Sequence, residues 1–269
     1  EARVSATPLI VMACENSINA SDRLMEEVSR YSTGASSALF VNTAVDRIVP
    51  VQSGDIAPSV EVEAFCELVI ETKNLGAAEL NIPGATMVPD LGPFIERKLY
   101  TVNTAHCSTA YLGQRAGYET IAQALADANV RAQVLAALAE TSHALVLKHG
   151  LSSAEQAAYV SKTMARLQNP LIDDSVERVG RDPLRKISRT ERLIGPAAYV
   201  AEAGREPTAL LEVVSAALVF HSTDDPTVAQ LQEKLANLSA EAFATELCGI
   251  PPEHPLHGSL CDVVRAAQS

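Results

Sequence analysis

The chain has 269 residues, of which 47% are hydrophobic and 20% charged, and its formal net charge is −12. This length and apolar content are enough to bury a core in one large domain or two small ones, and they exclude an intrinsically disordered chain. The acidic balance argues against a general nucleic-acid binder, because polyphosphate recognition needs a basic face. An anionic ligand would have to be small and be met by a local cluster of positive side chains.

The five cysteines are widely separated and never spaced as a CxxC pair. This pattern argues against a disulfide framework and a zinc site, and it is typical of reduced thiols in the cytoplasm. No apolar run reaches the roughly 18 residues of a membrane span, and the N-terminus has no secretory signal pattern. We therefore expect a cytoplasmic protein that holds no metal and contacts neither nucleic acid nor membrane.

The first part of the chain has a mixed α/β pattern. It begins at Glu1 without a Met and reaches a strand pattern almost at once, which suggests a fragment of a longer protein. The continuous apolar run at 8–14 is typical of a strand buried on both faces. Ser21, followed by acidic residues, predicts a capped helix start. Ala38–Val41 and Val60–Ile70 predict two further strands.

Pro and Gly in Asn81–Gly84 mark a predicted domain boundary, and the composition changes beyond it. From Pro89 onward the sequence is rich in Ala and Leu with apolar residues at helical spacing, and β-rich segments disappear. The predicted architecture is an α/β domain over residues 1–80 and a mostly α-helical domain over residues 81–269. The predicted helices are 89–113, 117–128, 130–148, 153–168, 189–203, 207–221, 225–236, 239–247 and 256–267.

The segment Glu96–His106 places three polar side chains on one side of a predicted helix. At about 100° per residue, Asn103 lies about 140° from Lys98 around the axis, and His106 lies about 80° from Lys98, between the two. A lysine could take the proton of a secondary alcohol while the amide and the imidazole steady the developing alkoxide. The same spacing also fits an exposed lysine, an internal asparagine and a histidine at the core edge, so both interpretations stay open.

A second cluster holds five basic side chains within 12 residues: Arg178, Arg181, Arg185, Lys186 and Arg189. Arginine forks match the geometry of phosphate. The alternative is a solvated loop in which these side chains pair with neighbouring acidic residues. Asp46 follows a predicted strand and is either part of a structural ion pair or the edge of a site. The sequence contains no HExxH, GxSxG, P-loop or GxGxxG motif.

Several segments, in this order, resemble the polyol-specific long-chain dehydrogenase/reductase family and span nearly the whole chain: Ala13–Asn16, Ala44–Pro50, Asn81–Gly84, Glu96–His106, Asn169-Pro170 and Val176–Lys186. The Lys-x4-Asn-x2-His spacing is characteristic of this metal-independent family. The Val-Gly-Arg-x-Pro-Leu-Arg-Lys segment is closer to its mannitol-1-phosphate branch than to members acting on unphosphorylated sugars. The resemblance implies oxidation of D-mannitol 1-phosphate by NAD to D-fructose 6-phosphate, and the reverse reduction.

The resemblance also implies roles for individual residues. Lys98 would be the general base in oxidation and the acid in reduction. Three side chains would polarise the oxygen at the reacting carbon: Asn103, His106 and Asn16, the last also beside the cofactor. Four would bind substrate, with the two arginines taking the phosphate: Arg178, Arg181, Lys186 and Asp46.

Family members begin with a Gly-rich nucleotide-binding turn, and this chain has none. The resemblance therefore implies an α/β remnant of a Rossmann-type domain followed by a mostly α-helical substrate domain. We expect this chain to bind NAD weakly or not at all, so the fragment need not be active by itself. Two alternatives stay open: another polyol or hexuronate dehydrogenase of the family, or a non-catalytic helical module that binds polyol phosphates. The resemblance favours a monomer.

Overall fold

A computed structural model describes residues 8–15, 19–31, 38–49, 59–76, 78–172 and 174–269. Contacts within the chain divide it into two units, Glu1–Glu96 and Arg97–Ser269. The predicted division into domains over residues 1–80 and 81–269 stays a proposal. No helix among the described residues is both long enough and apolar enough to cross a membrane.

The first unit begins with a β-α-β arrangement in which two strands pair in parallel, Leu9 opposite Ala38. Its elements are β1 (Leu9–Val11), α1 (Ala20–Tyr31) and β2 (Ala38–Phe40). The predicted helix start at Ser21 is confirmed, but Ser21 does not cap it. Instead the side-chain oxygen of Asn42 accepts the backbone N–H groups of Ser21 and Asp22, at 3.1 and 3.4 Å.

A three-stranded sheet follows, with β4 in the centre, antiparallel to β3 and parallel to β5. Its strands are β3 (Thr43–Asp46), β4 (Glu67–Glu71) and β5 (Ala85–Val88). The strand predicted over Val60–Ile70 is thus confined to its last part and extends one residue beyond. The sequence did not predict β3 and β5, because such short segments become strands through pairing with β4.

The prediction that the first strand is buried on both faces is wrong for the described residues. Leu9 is 46% exposed, and the other residues of β1 are only half-buried. β1 has one neighbour, β2, in the described part of this sheet. Val41, Ile70 and Leu75 form a buried cluster in the first unit.

From Gly92 onward the described chain is helical, and all nine predicted helices are confirmed, with ends displaced by up to five residues. Gly150 ends one helix in the left-handed conformation at φ 64°, and Ser152 caps the next through the N–H of Glu155. The helices are α2 (Gly92–Lys98), α3 (Thr104–Arg115), α4 (Ile121–Ala126), α5 (Ala128–His149), α6 (Ser153–Leu167), α7 (Val176–Gly180), α8 (Pro183–Lys186), α9 (Ile194–Glu202), α10 (Thr208–Leu218), α11 (Pro226–Asn237), α12 (Ala240–Glu246) and α13 (His257–Gln268).

Helix α3 lies in the core of the second unit, where it contacts α4, α5, α7 and α10. Tyr111 on α3 packs edge-on against Phe220, and its hydroxyl donates to the carbonyl of Gly180 at 3.0 Å. A Cβ atom on Gly180 would lie only 2.2 Å from the Phe220 ring, so this close approach requires glycine. These contacts hold α7 against α3. The basic run is therefore two short helices, α7 and α8, and not the loop considered from its sequence.

Candidate functional site

The helical segment that carries Lys98, Asn103 and His106 is not α-helical throughout. Leu99–Asn103 form a π-helical turn, in which the backbone N–H of Thr104 donates to the carbonyl of Leu99 five residues earlier. Such a turn holds more residues than an α-helical turn, so residues five apart lie closer together around the axis. The separation of about 140° predicted between Lys98 and Asn103 for an α-helix is therefore wrong, and the two residues lie nearer to one face.

Side chains from distant parts of the chain hold this π turn in place. Gln156 on α6 donates to the buried hydroxyl of Thr101 at 2.9 Å. The hydroxyl of Thr104 lies 2.8 Å from the carbonyl of Arg192, to which it donates. Tyr100 through Gly113 are buried except at Asn103 and His106, which are half-buried. The only partly open positions of this stretch are thus two of the three predicted polar residues.

His106 faces a buried carboxylate that the sequence analysis did not single out. Its Nε2 lies 3.0 Å from Oδ2 of Asp174, and the two side chains are 22% and 1% exposed. The separation is that of an ion pair, although the two atoms do not meet the angles of a good hydrogen bond. Burial alone raises the pKa of such a carboxyl, but His106 and Arg178 outweigh it and lower the pKa of Asp174. Asp174 is therefore ionised at neutral pH.

A cavity of about 410 Å³ opens beside His106 within the second unit. Its lining is dominated by positive side chains: Arg178, Arg181, Arg185, Lys186 and Arg192. Asp182 is the acidic lining residue, and Cys107 also reaches the cavity. Burial raises the pKa of the Cys107 thiol, so it stays neutral at physiological pH. This cavity has the character of an anion site.

Three of the five cations are paired with carboxylates. Arg178 donates from Nε and Nη2 to one oxygen of Asp174, at 2.7 and 2.5 Å. Arg185 bridges Asp182 and Glu191 at 2.5 and 2.8 Å, and Arg192 contacts the other oxygen of Glu191 at 3.0 Å. Three of the five cations thus pair with three carboxylates, and Asp225 interacts with Lys186, so the cavity keeps a net positive charge when His106 is neutral.

The other two cations form no ion pair with a carboxylate of the described residues. Lys186 is 5% exposed, and its amine donates to the carbonyls of Val179, at 2.5 Å, and Arg181. Burial lowers the pKa of Lys186 to about 8, so most of it is still charged at neutral pH. Arg181 is exposed, and its Nε donates to the carbonyl of Arg178 at 3.2 Å. Its terminal nitrogens are therefore available to an anion in the cavity.

The cavity thus brings together four predicted site residues: His106, Arg178, Arg181 and Lys186. Lys98 ends α2 and is half-buried, and neither it nor Asn103 is part of this lining. Asp46 lies in the first unit, buried at the end of β3 opposite Glu67. Asn16 lies outside the described residues.

Two residues of the site were missed by sequence reasoning. Asp174 lies four residues before Arg178, at a spacing typical of helical ion pairs, and this could have identified it. Arg192 lies just outside the basic run, and its position beside the cavity had no local signal.

Comparisons with known proteins identify the family of this chain. The Rossmann domain model of mannitol dehydrogenases matches residues 1–84, and the C-terminal domain model matches residues 90–246. The mannitol-1-phosphate 5-dehydrogenase of Paenarthrobacter aurescens is 49% identical over 97% of this chain and 70% of its own length. The mannitol-1-phosphate 5-dehydrogenase of Emericella nidulans is 43% identical over the whole chain and 71% of its own length.

Two solved structures share the fold at low sequence identity. A mannitol 2-dehydrogenase of Pseudomonas fluorescens, in a ternary complex with NAD and D-mannitol, superposes with a TM-score of 0.69 at 20% identity. A substrate-free D-sorbitol dehydrogenase gives a TM-score of 0.74 at 18% identity. Each match covers 96% of this chain, which spans 59% of either solved chain. The chain therefore belongs to the mannitol dehydrogenase family, a family of polyol oxidoreductases.

Proposed function

We propose that the protein is an NAD-dependent oxidoreductase that interconverts D-mannitol 1-phosphate and D-fructose 6-phosphate. The observation that carries this proposal is the basic cavity beside His106, in which Arg181 has no acidic partner among the described residues. A phosphomonoester carries a charge of about −1.5 to −2 near pH 7, which the net positive charge of the cavity attracts. The relatives named mannitol-1-phosphate 5-dehydrogenase support the same substrate.

The proton-handling roles fall on the helical segment that contains the π turn. In oxidation, Lys98 takes the proton of the substrate hydroxyl as general base, and in reduction it returns that proton. Asn103 and His106 donate hydrogen bonds to the oxygen at the reacting carbon, which stabilises its developing charge. The partial exposure of Asn103 and His106 in an otherwise buried stretch supports these roles.

We assign the phosphate to Arg181 first, because its terminal nitrogens are not used by a carboxylate of the described residues. Arg178 contributes less to phosphate binding, since Asp174 already takes two of its donors. Lys186, whose amine donates to the carbonyls of Val179 and Arg181, adds positive charge to the cavity lining. Asp46 and Asn16 are also proposed to contact the substrate. Asn16 is proposed to contact the cofactor as well.

NAD is proposed as the cofactor, which would accept the hydride, because the Rossmann domain model matches residues 1–84 and a structural neighbour is an NAD complex. The segment between β1 and α1 contains no glycine. The first N–H groups of α1, at Ser21 and Asp22, are already bonded to Asn42. This turn and helix start therefore do not offer the glycines and unpaired N–H groups that hold a pyrophosphate in Rossmann domains.

The test separates phosphate recognition from cofactor binding. Isothermal titration of the whole chain with D-fructose 6-phosphate and with D-fructose should give much tighter binding of the phosphorylated sugar. Arg181→Gln should weaken fructose 6-phosphate binding by roughly 10- to 150-fold, the range of a charge-assisted hydrogen bond. Arg189→Gln is the matched control, because Arg189 belongs to the same basic run but pairs with Glu202 away from the cavity lining.

Turnover of D-mannitol 1-phosphate with NAD, followed as NADH formation, tests the reaction itself. Turnover of D-mannitol at an equal rate would instead favour a family member acting on unphosphorylated polyols. Binding of both fructose 6-phosphate and NAD without turnover would favour the non-catalytic module, whereas a lack of NAD binding in the same titration would trace the lost turnover to the cofactor site. Equal binding of fructose and fructose 6-phosphate would refute the assignment of the cavity to phosphate.

A further inference from the structure

We infer that Asp174 is a positioning residue that fixes the imidazole of His106 and the guanidinium of Arg178 at the same time. One oxygen, Oδ2, lies 3.0 Å from Nε2 of His106, while the other, Oδ1, accepts both bonds from Arg178. One buried carboxylate thus joins a residue proposed to act on the reacting oxygen to a residue of the cavity wall. This inference rests on the proposed function for the roles of those two residues.

The carboxylate is held by backbone contacts that do not depend on α3. The carbonyl of Asp174 accepts the N–H of Ile121 at 2.9 Å, and the N–H of Val176 donates to the carbonyl of Glu119 at 2.9 Å. Thr120 and Ser175 form an isolated antiparallel bridge between these two segments. Asp174 is therefore anchored beside the start of α4. Its position is set by contacts outside the helix that carries His106.

The contact also decides which ring nitrogen of His106 is covered. Nε2 is covered, although the side chain as a whole is 22% exposed, so the exposed part of the side chain is not at Nε2. The Asp174 carboxylate lies beside Nε2 as an ion-pair partner, without the alignment of a hydrogen bond. A carbonyl substrate accepts hydrogen bonds, and because Nε2 is beside Asp174, a hydrogen bond from His106 to the substrate would come from Nδ1.

Nitrogen NMR of the histidine rings in the whole chain tests the contact directly. The His106 signals are assigned by their loss in His106→Asn. We expect Nε2 of the parent to carry a proton, and Asp174→Asn to move the His106 signals more than those of any other histidine. Glu177→Gln is the matched control, because it removes a carboxylate three residues away that bonds to Ser222 and not to His106. Unchanged His106 signals in Asp174→Asn would overturn the inference, whatever the activity.

Kinetics distinguish positioning from a purely structural role. In reduction of D-fructose 6-phosphate, Asp174→Asn should lower kcat by roughly 10-fold, within the range for residues of one interaction network. The loss should largely vanish in a His106→Asn background, and Asp174→Glu should restore part of it. Equal losses in both backgrounds would overturn the inference. If the parent chain neither binds nor reduces fructose 6-phosphate, the proposed function fails, and the ring signals alone decide whether Asp174 fixes His106. Asp174→Glu supplies the same NMR comparison if Asp174→Asn does not fold.

Discussion

The two units each contain a polar cluster, and the clusters differ in how completely they are paired. In the first unit, Asn42 accepts two backbone N–H groups and donates to Asp22 at 2.8 Å, and Asn74 donates to the carbonyl of Phe40. In the second unit, three carboxylates form ion pairs with three of the five cations. The terminal nitrogens of Arg181 have no carboxylate partner among the described residues. A cluster that satisfies itself fixes the fold, whereas a cluster with unused donors beside a cavity can bind a ligand.

The largest expected effect comes from removing the amine of Lys98, the proposed general base of the second unit. Lys98→Ala should lower turnover of D-mannitol 1-phosphate by about 100-fold or more, because acid–base help is lost. The affinity for fructose 6-phosphate should change little, since Lys98 is outside the cavity lining. Steady-state kinetics and isothermal titration measure the two effects. Lys234→Ala, on an exposed position of α11, should leave both unchanged. Unaltered turnover in Lys98→Ala would remove Lys98 from the proposed chemistry.

The next effect comes from the contact that holds α7 against α3. Gly180→Ala places a methyl group against the Phe220 ring and should destabilise the protein by about 1–3 kcal/mol, the usual cost of overpacking. Because α7 carries Arg178, affinity for fructose 6-phosphate should fall as well. Denaturant unfolding gives the free energy. Gly258→Ala is the control, because nothing lies near its Cβ position, and it should be neutral or stabilising. Equal stability of the two variants would contradict the close approach.

A substitution in the paired cluster of the first unit should change the stability of the protein and not its affinity for fructose 6-phosphate. Asn42→Ala leaves the first N–H groups of α1 without their acceptor and should lower the free energy of unfolding by about 0.5–2 kcal/mol. The affinity for fructose 6-phosphate should not change. Asn237→Ala, at the exposed end of α11, should have almost no effect on stability. Weaker sugar-phosphate binding in Asn42→Ala would break the contrast between the two clusters.

The smallest expected effect is a pH dependence of binding. The pKa of Lys186 is lowered to about 8 by burial, so its positive charge is present below pH 8 and is lost as the pH rises through that value. Affinity for fructose 6-phosphate should therefore fall by about 2- to 5-fold between pH 7 and 9, the scale of a partly screened ion pair. The ligand does not confound the measurement, since its phosphate is almost fully dianionic in this range. Lys186→Arg should give a flat profile, because arginine keeps its charge. The same decline in Lys186→Arg would rule out Lys186 as its cause.

The sequence by itself determined the helical second unit and most of its boundaries. Helical periodicity and capping are local, and the helix ends predicted at 148 and 153 lie beside Gly150 and Ser152, which end and cap these two helices. The motif order and the Lys-x4-Asn-x2-His spacing also identified the family, which the domain models confirm. The basic composition of the run after Glu177 correctly indicated positive side chains gathered at one place.

Tertiary structure decided everything that joins residues distant along the chain. The π turn at Leu99–Asn103 is held by Gln156 and by the carbonyl of Arg192, and periodicity contains no trace of either contact. The contact between His106 and Asp174 joins α3 to a segment far along the sequence. Which cations keep free donors depends on where the carboxylates lie. For these reasons the sequence found the candidate residues, whereas their pairing, and hence the residue left to hold an anion, followed only from the fold.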